Sequence, residues 1–126
     1  MKTLRVRRPA VAGLFYPERA GELRAALEAA MPPGPSPGAR PKAIIAPHAG
    51  YVYSGAVAGS AYGRVVAGRG GIGRVVVLGP AHRAPETGVA ASSAETFSTP
   101  LGPLRVDTAA RDALVEAGLA EVDDLA

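Results

Sequence analysis

Leu23, Ala26, Leu27, Ala30 and Met31 recur at three- and four-residue spacing, with Glu22, Arg24 and Glu28 on the other faces. That period predicts an amphipathic helix over Ala20–Met31, stopped by Pro32 and Pro33. Val57, Ala61, Val65 and Val66 form a second stripe, which predicts a helix over Ser54–Ala67 with Ser54 as its N-cap and Gly68–Gly73 closing it. A third helix is predicted over Thr108–Ala117, with Ala110, Leu114 and Val115 inward and Gly118 as the C′ residue.

Between these stripes the period changes. Lys42–Ala46 and Arg74–Gly79 are short apolar runs without alternation, the pattern of strands covered on both faces of a parallel sheet. With the helix between them they predict a right-handed βαβ unit. Val6–Pro17 reads as an extended N-terminal segment turning at Gly13, and the proline-rich stretch Pro32–Pro41 as a stiff surface connection. Gly88–Ala91 reads as a strand, and Glu95–Val106 as a hairpin turning at Pro100-Leu101-Gly102-Pro103. The fold class expected is α/β, a three-layer arrangement with central parallel strands, in one domain spanning residues 1–126.

Composition adds constraints. Hydrophobic residues make up 48% of the chain, enough for a core, but much of this is alanine, and tryptophan is absent. The charge of +3 is partly gathered at Lys2, Arg5, Arg7 and Arg8, which fits either a nucleic-acid arm or a solvated N-terminal strand. The second is favoured, since no basic run with interleaved aromatics follows, and no nucleic-acid partner is expected. The chain holds no cysteine, which excludes disulfides and thiolate metal sites and suits a reducing cytoplasm. No apolar run reaches the ~20 residues that span a bilayer, so no membrane association is expected either.

The chemistry-bearing pattern is a pair. The only two histidines, His48 and His82, each follow an apolar run and a proline: Ile44-Ile45-Ala46-Pro47-His48 and Val77-Leu78-Gly79-Pro80-Ala81-His82. Proline lacks an N–H and cannot extend a central strand, so each imidazole falls just past a strand end, where open α/β sheets hold ligands. Parallel neighbours lie roughly 4.8 Å apart, close enough for two imidazoles to lean onto one metal. The alternative is that each histidine only satisfies loose backbone groups. The repeated context favours a shared site, because neutral imidazole is the commonest metal ligand. Tyr51 and Tyr53 follow His48 closely and either line a pocket or cap the core. Ser54 reads as an N-cap rather than a nucleophile, since no Gly-x-Ser-x-Gly elbow is present.

Several segments together resemble the Memo family. They are Arg8-Pro9-Ala10-Val11-Ala12-Gly13 with Phe15-Tyr16-Pro17, then Ala46-Pro47-His48-Ala49-Gly50-Tyr51 with Tyr53-Ser54-Gly55, then Leu78-Gly79-Pro80-Ala81-His82, then Phe97-Ser98-Thr99-Pro100-Leu101-Gly102. The resemblance implies an αβα sandwich like that of class III extradiol dioxygenases. It implies His48 and His82 as catalytic residues and metal ligands; Tyr51, Tyr53 and Ser54, close after His48 in the sequence, are the substrate-binding candidates. Iron is the metal it favours, in a non-haem dioxygenase-like oxidoreductase, and AMMECR1-like and radical-SAM proteins are the partners it suggests. The competing expectation, since fold does not dictate function, is a non-catalytic module binding a peptide or partner protein, or a fragment without activity of its own.

Family members are longer, so this chain is expected to be the N-terminal portion of a Memo-like domain. No third ligand stands out among Asp107, Asp112, Asp123 and Asp124. An incomplete sandwich would leave one face of Arg74–Gly79 uncovered, and self-association or binding to a complementary chain is expected.

Overall fold

The computed structural model describes residues 4–32, 39, 41–66, 69–82 and 87–124. They fall into two compact units, one comprising Met1–Pro9 with Val76–Ala126 and the other Ala10–Val75. Both helices and parallel strand pairs are present, so the chain is mixed α/β.

The Ala10–Val75 unit is helical. Its first turn is closed by Gly13 donating to the Tyr16 carbonyl at 2.8 Å, with Gly13 at φ +79°, a conformation open to glycine. Helix α1 spans Ala20–Ala30, as its apolar period predicts, and buries Leu23. Helix α2 spans Tyr51–Val66. It begins three residues ahead of the expected start, so Ser54 is not its N-cap but a buried residue of the first turn. The buried side also differs from the predicted stripe: it carries Ser54, Gly59 and Gly63, while Val57 is exposed. Close packing is the reason. A Cβ at Gly55 would meet Ala30 Cβ in ordinary contact, and at Gly59 the Ala30 carbonyl occupies the space. Helices approach closely where small residues line the seam; Val57 is turned outward, while Ala61, Val65 and Val66 of the predicted stripe are half-buried. A short 3-10 turn, Arg69–Gly71, follows the helix.

The other unit carries the sheets. Strand β1 (Val6–Arg7) pairs in parallel with β3 (Thr96–Thr99), and β3 pairs antiparallel with β4 (Gly102–Arg105), Phe97 facing Leu104. The β3–β4 connection is the expected hairpin; Thr99 Oγ1 donates to the Gly102 carbonyl at 2.7 Å and accepts from Leu101 N–H. Strand β2 (Ala90–Ala91) pairs in parallel with β5 (Glu121–Val122). Helix α3 (Thr108–Glu116) lies between β4 and β5 in the chain. Asp107 caps it by accepting from Ala110 N–H at 3.0 Å, and Gly118, at φ +69°, follows its end in the left-handed region.

Two expected strands are not formed. Lys42–Ala46 and Arg74–Gly79 have no regular structure and belong to none of the ladders among the described residues. The predicted βαβ unit is therefore not assembled. The physical reason is burial: a non-alternating apolar strand needs ladder partners and apolar cover, yet Val77 is 84% and Leu78 81% exposed. Without that burial, nothing offsets the entropy of ordering the run. Of the proline-rich connection, positions 33–38 and 40 lie outside the described residues, as does Ala67 at the expected end of the second helix. Leu23 and Ala94 are the buried apolar residues among those described. No helix there is long and apolar enough to cross a membrane.

Candidate functional site

The segment His48–Ser54 is organised by the start of α2. Tyr51 N–H donates to the Phe15 carbonyl at 2.8 Å, which fastens this turn to the turn at Gly13. Gly50 accepts from both Tyr53 N–H and Ser54 N–H, at 2.9 and 3.1 Å. Ser54 Oγ donates to the Ala49 carbonyl at 3.0 Å. One buried hydroxyl thus holds the residue that directly follows His48. This ties the predicted substrate-pocket residue Ser54 to positioning the His48 segment.

Tyr51 packs its ring against Tyr16, centroids 5.8 Å apart and planes tilted by 45°. Its phenol is raised above the usual value, first by burial and then by the neighbouring Tyr16 and Tyr62. Tyr51 therefore stays a neutral hydroxyl across the physiological range. Tyr53, two residues on, is 87% exposed. The tyrosine pair thus splits: Tyr51 joins a packed ring cluster and Tyr53 faces solvent.

His48 and His82 are both exposed. His48 lies in the Ala10–Val75 unit with Tyr51, Tyr53 and Ser54, while His82 lies in the unit that holds the sheets. The two runs preceding them are not strands among the described residues, so the strand pairing from which a shared site is read has no counterpart in the ladders. Among the described residues, no group of three or more His, Cys, Asp or Glu is placed to hold a metal ion. Two imidazoles without a third donor do not make a complete metal set, although nitrogen donors with no thiolate suit Fe(II).

Asp107, Asp112 and Asp124, among the candidate acids, are engaged elsewhere in the fold. Asp107 is the α3 cap, and Asp112 pairs with Arg111 at 2.7 Å on the surface. Asp124 accepts from Ser92 Oγ and Ser93 N–H, each at 2.8 Å, which holds its carboxyl at about 2, far below its ordinary 3.8. Hydrogen bonds from Ser93 and then Ser92 cause most of that shift, with a smaller contribution from the Arg7 charge.

Arg111 was not singled out by the sequence. Its Nη1 donates to the successive carbonyls of Ser92, Ser93 and Ala94, at 3.3, 3.1 and 3.3 Å. Its place one turn before Val115, on the inward stripe of α3, was the available signal. Arg111 and Asp124 together clamp Ser92–Ala94, from the carbonyl side and the amide side respectively. The clamp is structural.

An open cleft of about 450 Å³ lies elsewhere in the Ala10–Val75 unit, lined by Pro41, Lys42, Gly71, Ile72, Gly73 and Arg74. None of the predicted site residues lines it.

The family model for the Memo-like protein matches residues 7–126. The MEMO1 family protein of Methanothermobacter thermautotrophicus is 38% identical over 130 residues, covering 96% of this chain and 47% of that protein. The MEMO1 family protein of Aquifex aeolicus is 36% identical over 123 residues, covering 98% of this chain and 45% of the relative. Protein MEMO1 of Danio rerio is 43% identical over 96 residues, covering 76% of this chain and 32% of that protein. The chain spans about half the length of the archaeal and bacterial relatives.

Proposed function

The chain belongs to the Memo-like family, and from that premise we propose that it contributes His48 and His82 to a metal pocket, with iron as the metal. The observation that carries this reading is the repeated context of the only two histidines, each set past an apolar run ended by proline. A non-haem Fe(II) centre leaves open positions for substrate and O₂, so the activity proposed is that of a dioxygenase-like oxidoreductase. The chain's own part is to present two imidazoles. Ser54 and the Tyr51–Phe15 backbone bond hold the His48 segment, and Tyr53 stands exposed beside it as a substrate contact. The described residues supply no third ligand, and no catalytic step is assigned to them.

Elemental analysis of protein purified without a nickel column tests the proposal. Wild type is expected to retain iron, and His48→Ala and His82→Ala are each expected to lose it. Equal, negligible metal in all three contradicts the proposal for this chain.

The absence of a third donor among the described residues favours a second reading, a non-catalytic module. Exposed Val52 and Tyr53 would then contact a peptide or partner protein, AMMECR1-like or radical-SAM proteins being the candidates. Binding that survives chelation of metal supports this second reading. The cysteine-free sequence suits the cytoplasm as its compartment.

A further inference from the structure

The open cleft of about 450 Å³ in the Ala10–Val75 unit holds none of the residues of the proposed metal pocket. Its wall comes from two distant parts of the chain, Pro41-Lys42 and Gly71-Ile72-Gly73-Arg74. Lys42 stands at the head of one apolar run and Arg74 at the head of the other, and the structure brings both cations to one concavity. No acidic side chain is among the described residues that line it. A cleft lined by charge of one sign concentrates ions of the other. The backbone adds to this. Ile72 N–H donates to the Arg69 carbonyl at 3.1 Å, which sets the turn that leads into Gly73 and Arg74. Gly73 has neither a positive φ nor any atom within 4 Å of a would-be Cβ, so packing does not require glycine there. Its missing side chain leaves the main chain beside Arg74 open to close approach.

We propose that this cleft binds a phosphate group, carried by the free anion or by a small phosphorylated molecule. The planar guanidinium of Arg74 matches two phosphate oxygens at once, and the Lys42 ammonium adds a point charge. A phosphate monoester carries a charge of roughly −1.5 to −2 at neutral pH, which suits two cations better than a single carboxylate does. The volume falls in the range of roughly 300–1,000 Å³ common to small-molecule clefts. Half-buried Pro41 and Ile72 give it an apolar wall for an attached organic group. The inference does not depend on the metal pocket, since neither His48 nor His82 lines the cleft.

Titration of the 126-residue chain with inorganic phosphate and with phenyl phosphate, at constant ionic strength, tests it. Amide resonances followed by NMR are expected to show saturable shifts at Ile72, Gly73 and Arg74. Lys42→Gln and Arg74→Gln are each expected to weaken binding by roughly fivefold or more, because each removes a charged donor. Both residues are exposed, so far-UV circular dichroism should stay unchanged. Arg24→Gln removes the same charge from α1, outside the cleft wall, and is expected to change affinity by less than about twofold. Tighter binding of phenyl phosphate identifies a phosphorylated molecule as the source, and equal or weaker binding identifies the free anion; either result upholds the site. The proposal is overturned if neither probe gives saturable shifts at these amides, or if Lys42→Gln or Arg74→Gln binds as wild type does. An Arg24→Gln loss as large as theirs also overturns it, since the attraction is then spread over the whole basic chain.

Discussion

The carbonyl of Ala30, at the end of α1, occupies the space that a Cβ on Gly59 of α2 would need. Backbone cannot swing aside as a flexible side chain can. Gly→Ala within a helix ordinarily gains up to about 1 kcal/mol, whereas forced overpacking costs about 1–3 kcal/mol. Gly59→Ala is therefore expected to destabilise the chain. Gly21, in α1, has nothing within 4 Å of its would-be Cβ, and at Gly55 the nearest atom is 3.6 Å away. Alanine at either position is expected to be neutral or stabilising by up to about 1 kcal/mol. Urea midpoints of the three variants check the opposite signs.

Removing the Arg111 guanidinium leaves three consecutive carbonyls without their charged donor. Hydrogen bonds to charged groups contribute about 1.5–3 kcal/mol net, and the Arg111 side chain is 11% exposed, so solvent only partly replaces it. Arg111→Met is expected to lose about that much stability in total. The amides near Ser92–Ala94 should also exchange faster.

Asp124 gives a signed pH dependence. Its carboxyl lies at about 2 in the fold against an ordinary 3.8, so the folded state favours the ionised form. Its contribution is present above 3.8 and is lost as pH falls through that value toward about 2. Asp124→Asn is expected to remove this part of the acid sensitivity and leave the remainder. Denaturation midpoints of both proteins, taken stepwise into acid, measure the difference.

Tyr51 gives the alkaline counterpart. Burial raises its phenol above 10.0, so the neutral hydroxyl is the form the fold favours. Its contribution is present below the unfolded value and is lost as pH rises through the folded one. Phenolate absorbance of the native protein is expected to show a fraction that ionises late, and that fraction should be missing in Tyr51→Phe.

The elements legible in the sequence are those whose partners lie close along the chain. Helix α1, the β3–β4 hairpin and the capped helix α3 with Gly118 all form where periodicity and turn chemistry put them. The start of α2 was misplaced because Ser54 suggested an N-cap, whereas the chain is already held at Tyr51 by the distant Phe15 carbonyl. Its buried side was misassigned because glycines carry no apolar signal, and close approach to Ala30 sets that side. Lys42–Ala46 and Arg74–Gly79 read as strands because they are apolar, but a strand is made by its neighbours. The pairing of His48 with His82 was inferred through those two strands and inherits the same dependence.

That pairing is the central claim, and the chain offers a clean probe of it, because it contains only two histidines. Imidazole resonances followed by NMR during titration with Co(II), a paramagnetic stand-in for Fe(II), report each ring separately. If His48 and His82 share one metal, both sets of resonances shift or broaden together and saturate at one equivalent of metal per chain. Rings that respond independently at different metal concentrations, or do not respond at all, would contradict it.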